Sequence, residues 1–225
     1  MKITIFGKNK EKIKGVVSAA GFEIVREKPE FIISYGGDGT LMHAEAEYPG
    51  VPKILLKDSY ICKKCSPLPN DEVLAKIANK KFRIEELMKL EVATGGKKLY
   101  GMNDIIVHNK DPRHAIRYSI SVNNKLIDHH VIGDGIVAAT PFGSTGYYRS
   151  ITDSFFELGI GLAFNNSIEQ SDHMVLKEDS TIKIKIIRGP ALVYADNQEN
   201  KIEINEGDEV EIKQSKQKAY IVIPL

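Results

Sequence analysis

Hydrophobic residues in this chain change their spacing partway along, and that change restricts the folds open to it. Up to about Arg83 apolar runs alternate with stretches of helical period, and beyond it the period is two. An apolar run at 3–6 leads into a Lys-rich stretch with Ile13, Val16, Val17 and Ala20 at helical spacing, then Gly21 and short strands at 22–25 and 31–35. This is a β-α-β beginning. A glycine-rich segment at 36–40 precedes a helical pattern at 41–47, a strand around 54–56, and a helix over 70–79 whose entry Pro67 and Pro69 punctuate. Further on, Tyr118, Ile120 and Val122 alternate with Arg117, Ser119 and Ser121, and Ile182, Ile184 and Ile186 with Thr181, Lys183 and Lys185, as half-buried strands require. Asn123-Asn124 and Glu206-Gly207 are predicted hairpin turns, because Asn and Gly tolerate positive φ. The expectation is an α/β N-terminal domain at 1–90, an incomplete Rossmann-like unit, followed by a β-rich domain of β-sandwich type at 91–225. The apolar tail at 220–225 is available as an extra strand, with the first domain as one place for it to return to.

With 225 residues, 42% of them hydrophobic, the chain can bury a core without disulfides or metals. Lys and Arg number 31 against 30 Asp and Glu, so no broad field draws it to nucleic acid or a membrane, and any anion must be held by a local site. The apolar start is too short for a signal peptide and no later stretch is long enough to cross a bilayer, so a cytoplasmic protein is expected. Cys62 and Cys65 form a lone C-x-x-C. A zinc site needs two more ligands, and no histidine pair has the spacing for it; His129 and His130 would point to opposite faces of a strand. Structural or incidental thiols are the first reading, a redox pair the second.

Gly36-Gly37-Asp38-Gly39-Thr40 follows an apolar strand and opens a helix. Its backbone can approach a ligand closely and direct several N–H groups at phosphate. A carboxylate among phosphates costs binding energy, which makes sense if Asp38 takes a proton from an attacking hydroxyl or holds a divalent cation. The competing reading is a glycine turn with Asp38 as an N-cap. The segment fits neither the P-loop nor G-x-G-x-x-G.

Two later segments narrow the substrate. Asn103 and Asp104 stand at the mouth of the apolar strand 105–107; an amide reads an adenine edge or a ribose hydroxyl and a carboxylate prefers paired sugar hydroxyls, although the two residues also suit the end of a turn. The stretch 133–150, with Asp134, Thr140-Pro141-Phe142-Gly143-Ser144-Thr145-Gly146-Tyr147 and Ser150, runs from a strand into small residues and hydroxyls. A flat ring can lie on the Thr145-Gly146 backbone with Tyr147 beside it.

GGDGT, then Asn-Asp before a strand, then D-G-x-x-x-x-T-P-x-G-S-T-x-Y-x-x-S together resemble the NAD kinase family, within a superfamily of GGDGT kinases that also act on lipids and sugars. The resemblance implies phosphorylation of the 2′-hydroxyl of the adenosine ribose of NAD, giving NADP, with ATP or another phosphoryl donor and Mg²⁺ or another divalent cation. It makes Asp38 the general base, with Gly36, Gly37 and Gly39 around the phosphates. Asn103 and Asp104 hold the nucleotide, and Thr145, Gly146, Tyr147 and Ser150 line the adenosine pocket. Asp134 binds near the nicotinamide half and reaches a neighbouring subunit's site in a homodimer or homotetramer. His114 and Gln198 match weaker nucleotide-contacting positions; a solvated loop histidine and a plain hairpin turn compete with those roles. The alternatives are a lipid or sugar kinase of the same superfamily, for which Arg113, Arg117, Arg149 and Arg188 look too scattered, and a non-catalytic NAD-binding sensor.

The chain departs from the family in four places. Asp104 replaces the usual Glu, Gly146 the usual Ala, and Thr152-Asp153 a usual Gly-Gly. The family's N-x-G-x-x-G segment after the fourth strand is replaced by Lys57-Asp58-Ser59-Tyr60-Ile61-Cys62. The chain is also short, as in compact archaeal-type members.

Overall fold

The computed structural model describes residues 1–58, 60–168 and 173–225, so Ser59 of the replaced segment lies outside the described residues. They divide into two compact units, residues 1–87 with 218–225, and residues 88–217.

The first unit runs β1 (Lys2–Phe6), α1 (Lys10–Ala19), β2 (Glu23–Ile24), β3 (Phe31–Gly36), α2 (Asp38–Glu47), β4 (Lys53–Lys57) and α3 (Asn70–Ala78). Strands lie side by side in the order β2-β1-β3-β4, all parallel. Parallel strands buried on both faces read as near-continuous apolar runs, as 54–56 does and as 31–35 does apart from the buried Ser34. Ile3, Ile5, Ile33, Tyr35, Ile54 and Leu56 form a core with Ile13 and Val17 of α1 and Val73, Leu74 and Ile77 of α3. Val16, expected on the buried face of α1, is 41% exposed, because Ile13 and Val17 at i and i+4 take the face that packs. Lys53 and Glu45 form a fully buried ion pair, and Lys53 Nζ also donates to the carbonyl of Tyr48 at 2.6 Å. The apolar tail joins this unit, with Ile221 and Val222 pairing in parallel with Lys53 and Ile54.

The second unit takes in the later part of β5 (Phe82–Thr94), then β6 (Lys97–Gly101), β7 (Asp104–Asn109), β8 (Ile116–Val122), β9 (Lys125–Gly133), β10 (Gly135–Ala139), α4 (Tyr147–Thr152), β11 (Ile160–Asn165), β12 (His173–Leu176), β13 (Ile182–Arg188), β14 (Ala191–Ala195), β15 (Lys201–Ile204) and the first part of β16 (Glu209–Pro224). One antiparallel sheet has the order β12-β11-β10-β7-β14-β15. Facing it, β13 lies between β8 and β16, with β9 beside β8. Alternate residues of both sheets, among them Ile105, Val107, Tyr118, Ile120, Ile136, Leu162, Ile184 and Val193, form one core, which makes this unit a β-sandwich.

Asn123 and Asn124 take φ of 51° and 61° and close the β8–β9 hairpin. Glu206-Gly207 turns the chain, with Gly207 at φ 91°, but forms no hairpin. Strand β15 pairs with β14 and β16 with β13, so this turn carries the chain between the two sheets and lets Val210 and Ile212 enter the shared core.

Candidate active site

In the first unit the glycine segment forms the junction of β3 and α2. Gly37 is the N-cap, and Thr40 N–H and Leu41 N–H donate to its carbonyl at 3.0 and 3.3 Å. A Cβ at Gly36 would fall 2.2 Å from Thr40 Oγ1, so glycine is required there for the turn to close. Asp38 is the first residue of the helix and makes no capping bond to it, which sets aside its reading as an N-cap. Its carboxylate instead meets the C-x-x-C loop. Lys63 N–H donates to Oδ2 at 3.2 Å and Lys64 N–H to Oδ1 at 3.1 Å, while Cys62 Sγ lies 3.4 Å from Oδ1. Cys62 and Cys65 are joined in a disulfide, with Cα atoms 5.4 Å apart, so the free-thiol reading is corrected. Burial lowers the pKa of Lys64, and the Asp38 carboxylate opposes that shift.

In the second unit Asn103 and Asp104 lie at the entrance to β7, fixed from two sides. Asp196 draws the N–H groups of Met102, Asn103 and Asp104 onto its carboxylate at 2.9, 2.8 and 3.1 Å, and its own N–H donates to the carbonyl of Asp104 at 2.9 Å. From the other side the Thr-Pro-x-Gly turn is stitched on: Thr140 N–H donates to the carbonyl of Asn103 at 2.8 Å, and Thr140 Oγ1 to that of Met102 at 2.7 Å. A Cβ at Gly143 would fall 2.1 Å from the carbonyl oxygen of Asn103, so only glycine permits the approach. Asn103 is half-buried overall, but its Oδ1 is buried and lacks a hydrogen-bond partner among the described residues. A buried carbonyl without a donor costs roughly 1–3 kcal/mol, which a ligand donor recovers.

Asp104 is buried, and its carboxyl is raised to about 7, first by desolvation and then by the nearby Asp196 charge. Asp196 is itself raised by burial, against the three N–H bonds and the charge of Lys89. Tyr147 begins α4; its hydroxyl accepts from Asn165 Nδ2 at 2.9 Å. Burial raises its pKa, with Asp134 and Asp104 adding to the effect, so the phenol feels both carboxylates. Asp134 accepts from Asn109 Nδ2 at 3.1 Å and Asn166 Nδ2 at 2.6 Å. Gly146 is exposed beside this cluster and Thr145 half-buried, while the hydroxyl of Ser150 turns back to the carbonyl of Tyr147 at 2.7 Å.

Asn103, Asp104, Gly146, Tyr147 and Asp134 are thus brought into one connected cluster. Gln198 joins its edge, donating to the carbonyl of Tyr100 at 2.8 Å. His114 joins only through its carbonyl, which accepts from Asn109 Nδ2 at 3.1 Å; its imidazole is exposed and meets Asp111 at 3.3 Å. Arg113 and Arg188, apart in sequence, line one cleft of about 690 Å³ with Lys110 and His114, though Arg113 is committed to Asp111 at 2.7 Å. Asp196, the clamp of the cluster, is marked in the sequence only by its place two residues before Gln198, and Asn165 carries no signal at all. At the end of α4 Asp153 takes the left-handed conformation, φ 49°, where the family's glycine would suit.

A family model describing the ATP-NAD kinase C-terminal domain matches residues 102–223. The NAD kinase of Saccharolobus islandicus strain M.14.25 is 32% identical over 150 residues, 64% of this chain and 57% of that protein. A bifunctional NADP phosphatase/NAD kinase of Methanocaldococcus jannaschii is 28% identical over 206 residues, 85% of this chain and 35% of that one. The chain therefore spans only about half, or a third, of the length of these relatives. In fold it is similar to yeast NADH kinase solved with NADH (TM-score 0.88, 16% identity, 100% of this chain and 84% of that one). It is also similar in fold to an NAD kinase from Archaeoglobus fulgidus solved with ATP (TM-score 0.82, 20% identity, 98% and 93%). With the family's C-terminal domain matched over more than half its residues, this chain belongs to the NAD kinase family.

Proposed function

We propose that the protein phosphorylates the 2′-hydroxyl of the adenosine ribose of NAD, forming NADP. The observation that carries this reading is the half-buried Asn103 amide, its Oδ1 without a donor among the described residues, next to the buried Asp104 and against the turn at Gly143. An adenine amino group or ribose hydroxyl is the donor that completes it. Thr145, Gly146 and Tyr147 supply the surface for the adenine ring, Ser150 and Gln198 border it, and Asp134 takes the nicotinamide half, reaching the site of a neighbouring copy in a homodimer or homotetramer. His114 contributes through its main chain.

Asp38 accepts the proton as the ribose oxygen attacks the terminal phosphorus and the bond to the leaving phosphate breaks. The backbone at 36–39 cradles the donor phosphates at the start of α2, where N–H groups and the helix dipole favour anions. Catalysis of this kind is mostly positioning and charge neutralisation. ATP is the donor this reading favours. A divalent cation such as Mg²⁺ binds mainly to phosphate oxygens and needs one or two protein carboxylates. Among the described residues no group of three or more His, Cys, Asp or Glu stands ready to hold a metal, so the cation would be held chiefly by the donor phosphates, and Asp38 keeps the role of base. When bound, the cation neutralises charge on the transferring group. Among the described residues no helix is long and apolar enough to cross a membrane.

The test is NADP formation from NAD with ATP and Mg²⁺, run beside diacylglycerol and fructose 6-phosphate as acceptors. Phosphorylation of NAD alone is expected. Transfer to lipid or sugar with none to NAD overturns the assignment, and tight NAD binding without turnover would mark a sensor.

A further inference from the structure

The segment following β4, which lacks the N-x-G-x-x-G pattern the family resemblance would place there, is the segment that touches Asp38. Residues 58–69 form no regular secondary structure where described, and Tyr60 and Ile61 are fully or largely exposed at 109% and 72%. Within it the Cys62–Cys65 disulfide closes a four-residue ring whose two central residues, Lys63 and Lys64, both turn their N–H groups onto the Asp38 carboxylate, one on each oxygen. Cys62 Sγ approaches the same carboxylate at 3.4 Å; as half of a disulfide it carries no proton, so this is a covering contact and not a hydrogen bond. Both oxygens of the acid that must accept a proton are therefore engaged by a loop that a covalent bond holds in shape. Both cysteines are partly exposed, within reach of an attacking thiol.

We infer that Cys62–Cys65 is a thiol–disulfide exchange site whose oxidised form clasps Asp38 and holds the enzyme in a low-activity state, relieved by a dithiol reductant. The inference rests on the role proposed for Asp38. In the exchange a reductant thiolate attacks one cysteine sulfur, the S–S bond breaks, and the second reductant thiol resolves the mixed disulfide. Two electrons and two protons pass to the protein, leaving two cysteine thiols and an oxidised reductant. With the ring open, the loop keeps the two amide bonds only at the entropic cost of holding an irregular segment, and it releases the carboxylate. A hydrogen bond to an ionised group contributes more than a neutral one, so losing two of them frees the base by roughly tenfold or more.

The experiment compares the oxidised protein, the protein reduced by dithiothreitol and held anaerobic, and Cys62→Ser/Cys65→Ser. Two readouts are taken: amide hydrogen exchange over the peptide containing Lys63 and Lys64, and the rate of NADP formation. Reduction is expected to deprotect both amides and raise the rate about tenfold or more, while the double variant matches the reduced protein with or without reductant. Should the double variant fold poorly, reduced wild type capped with iodoacetamide takes its place. Equal exchange and equal rates in the two redox states, a faster oxidised form, or a reductant response that persists in the double variant would each overturn the inference. A redox-dependent change in exchange with no NADP formed in either state supports the clasp and removes the kinase assignment instead.

Discussion

Asp38 and Asp104 are the two carboxylates for which we propose roles at the nucleotide, and the two units hold them in opposite ways. Asp38 is half-exposed at the start of a helix and is kept in place by amides of an irregular loop. Asp104 is buried at the start of a strand, held through its backbone by Asp196 and kept protonated up to about pH 7 by desolvation. A base has to exchange protons and remain reachable, and the half-exposed Asp38 meets that demand in the role proposed for it. A group that reads a nucleotide gains from rigidity, because a preformed site loses little entropy when the ligand binds.

The sharpest way to separate the two acids is to neutralise each. Asp38→Asn keeps size and shape and removes the proton acceptor; kcat for NADP formation is expected to fall by about three to four orders of magnitude with the Kd for NAD nearly unchanged. Normal turnover in that variant would refute the assignment of the base. Asp104 gives a pH signature instead. In the unfolded chain it loses its proton near the ordinary value of 3.8, and in the folded protein near 7. Between those values the native state binds the extra proton, so stability falls as pH rises through this window, by roughly 4 kcal/mol if the shift is fully expressed. Denaturant unfolding from pH 4 to 8 should show the slope, and Asp104→Asn should flatten it. Over the same range NAD should bind more tightly as pH rises, since sugar hydroxyls donate to the ionised form.

A smaller effect probes the clamp. Asp196→Ala leaves three N–H groups without their acceptor and should cost about 3 kcal/mol of stability in urea titrations, together with much of the NAD affinity. If NAD binding survives intact, the clamp is not what shapes the site. Smallest of all is Gly146→Ala, the residue that the family resemblance would place there. Its backbone φ is −95°, and a new Cβ would lie 3.1 Å from the carbonyl oxygen of Gly143, so a shift of a few tenths of an ångström admits it. The expected change in stability is within about 0.5 kcal/mol, with the KM for NAD little altered. A large loss would mean that the turn tolerates no adjustment.

Part of this arrangement was readable before any coordinates. Ile32-Ile33 and Leu55-Leu56 announced buried parallel strands, Asn123-Asn124 announced its hairpin, and the order of the three motifs pointed to the family through residues that have to be small or polar. Other parts were not readable. Val16 looked like a core residue because helical spacing alone does not say where the buried face ends. Glu206-Gly207 looked like a hairpin because a turn residue shows that the chain bends, not which strand it pairs with next. The four arginines looked scattered, yet Arg113 and Arg188 share a cleft.

What local pattern could establish was the kind of each element, the period of each face and the residue types that phosphate and nucleotide chemistry demand, since these depend on neighbours within a few positions. What had to await the folded chain was every relation between distant residues: Asp196 beneath Asn103, 93 positions away, the Tyr147 hydroxyl against Asn165, and the Cys62–Cys65 loop against Asp38. A hydrogen bond forms wherever packing brings donor and acceptor to about 3 Å, and packing is set by the whole core, so no short stretch of sequence encodes it.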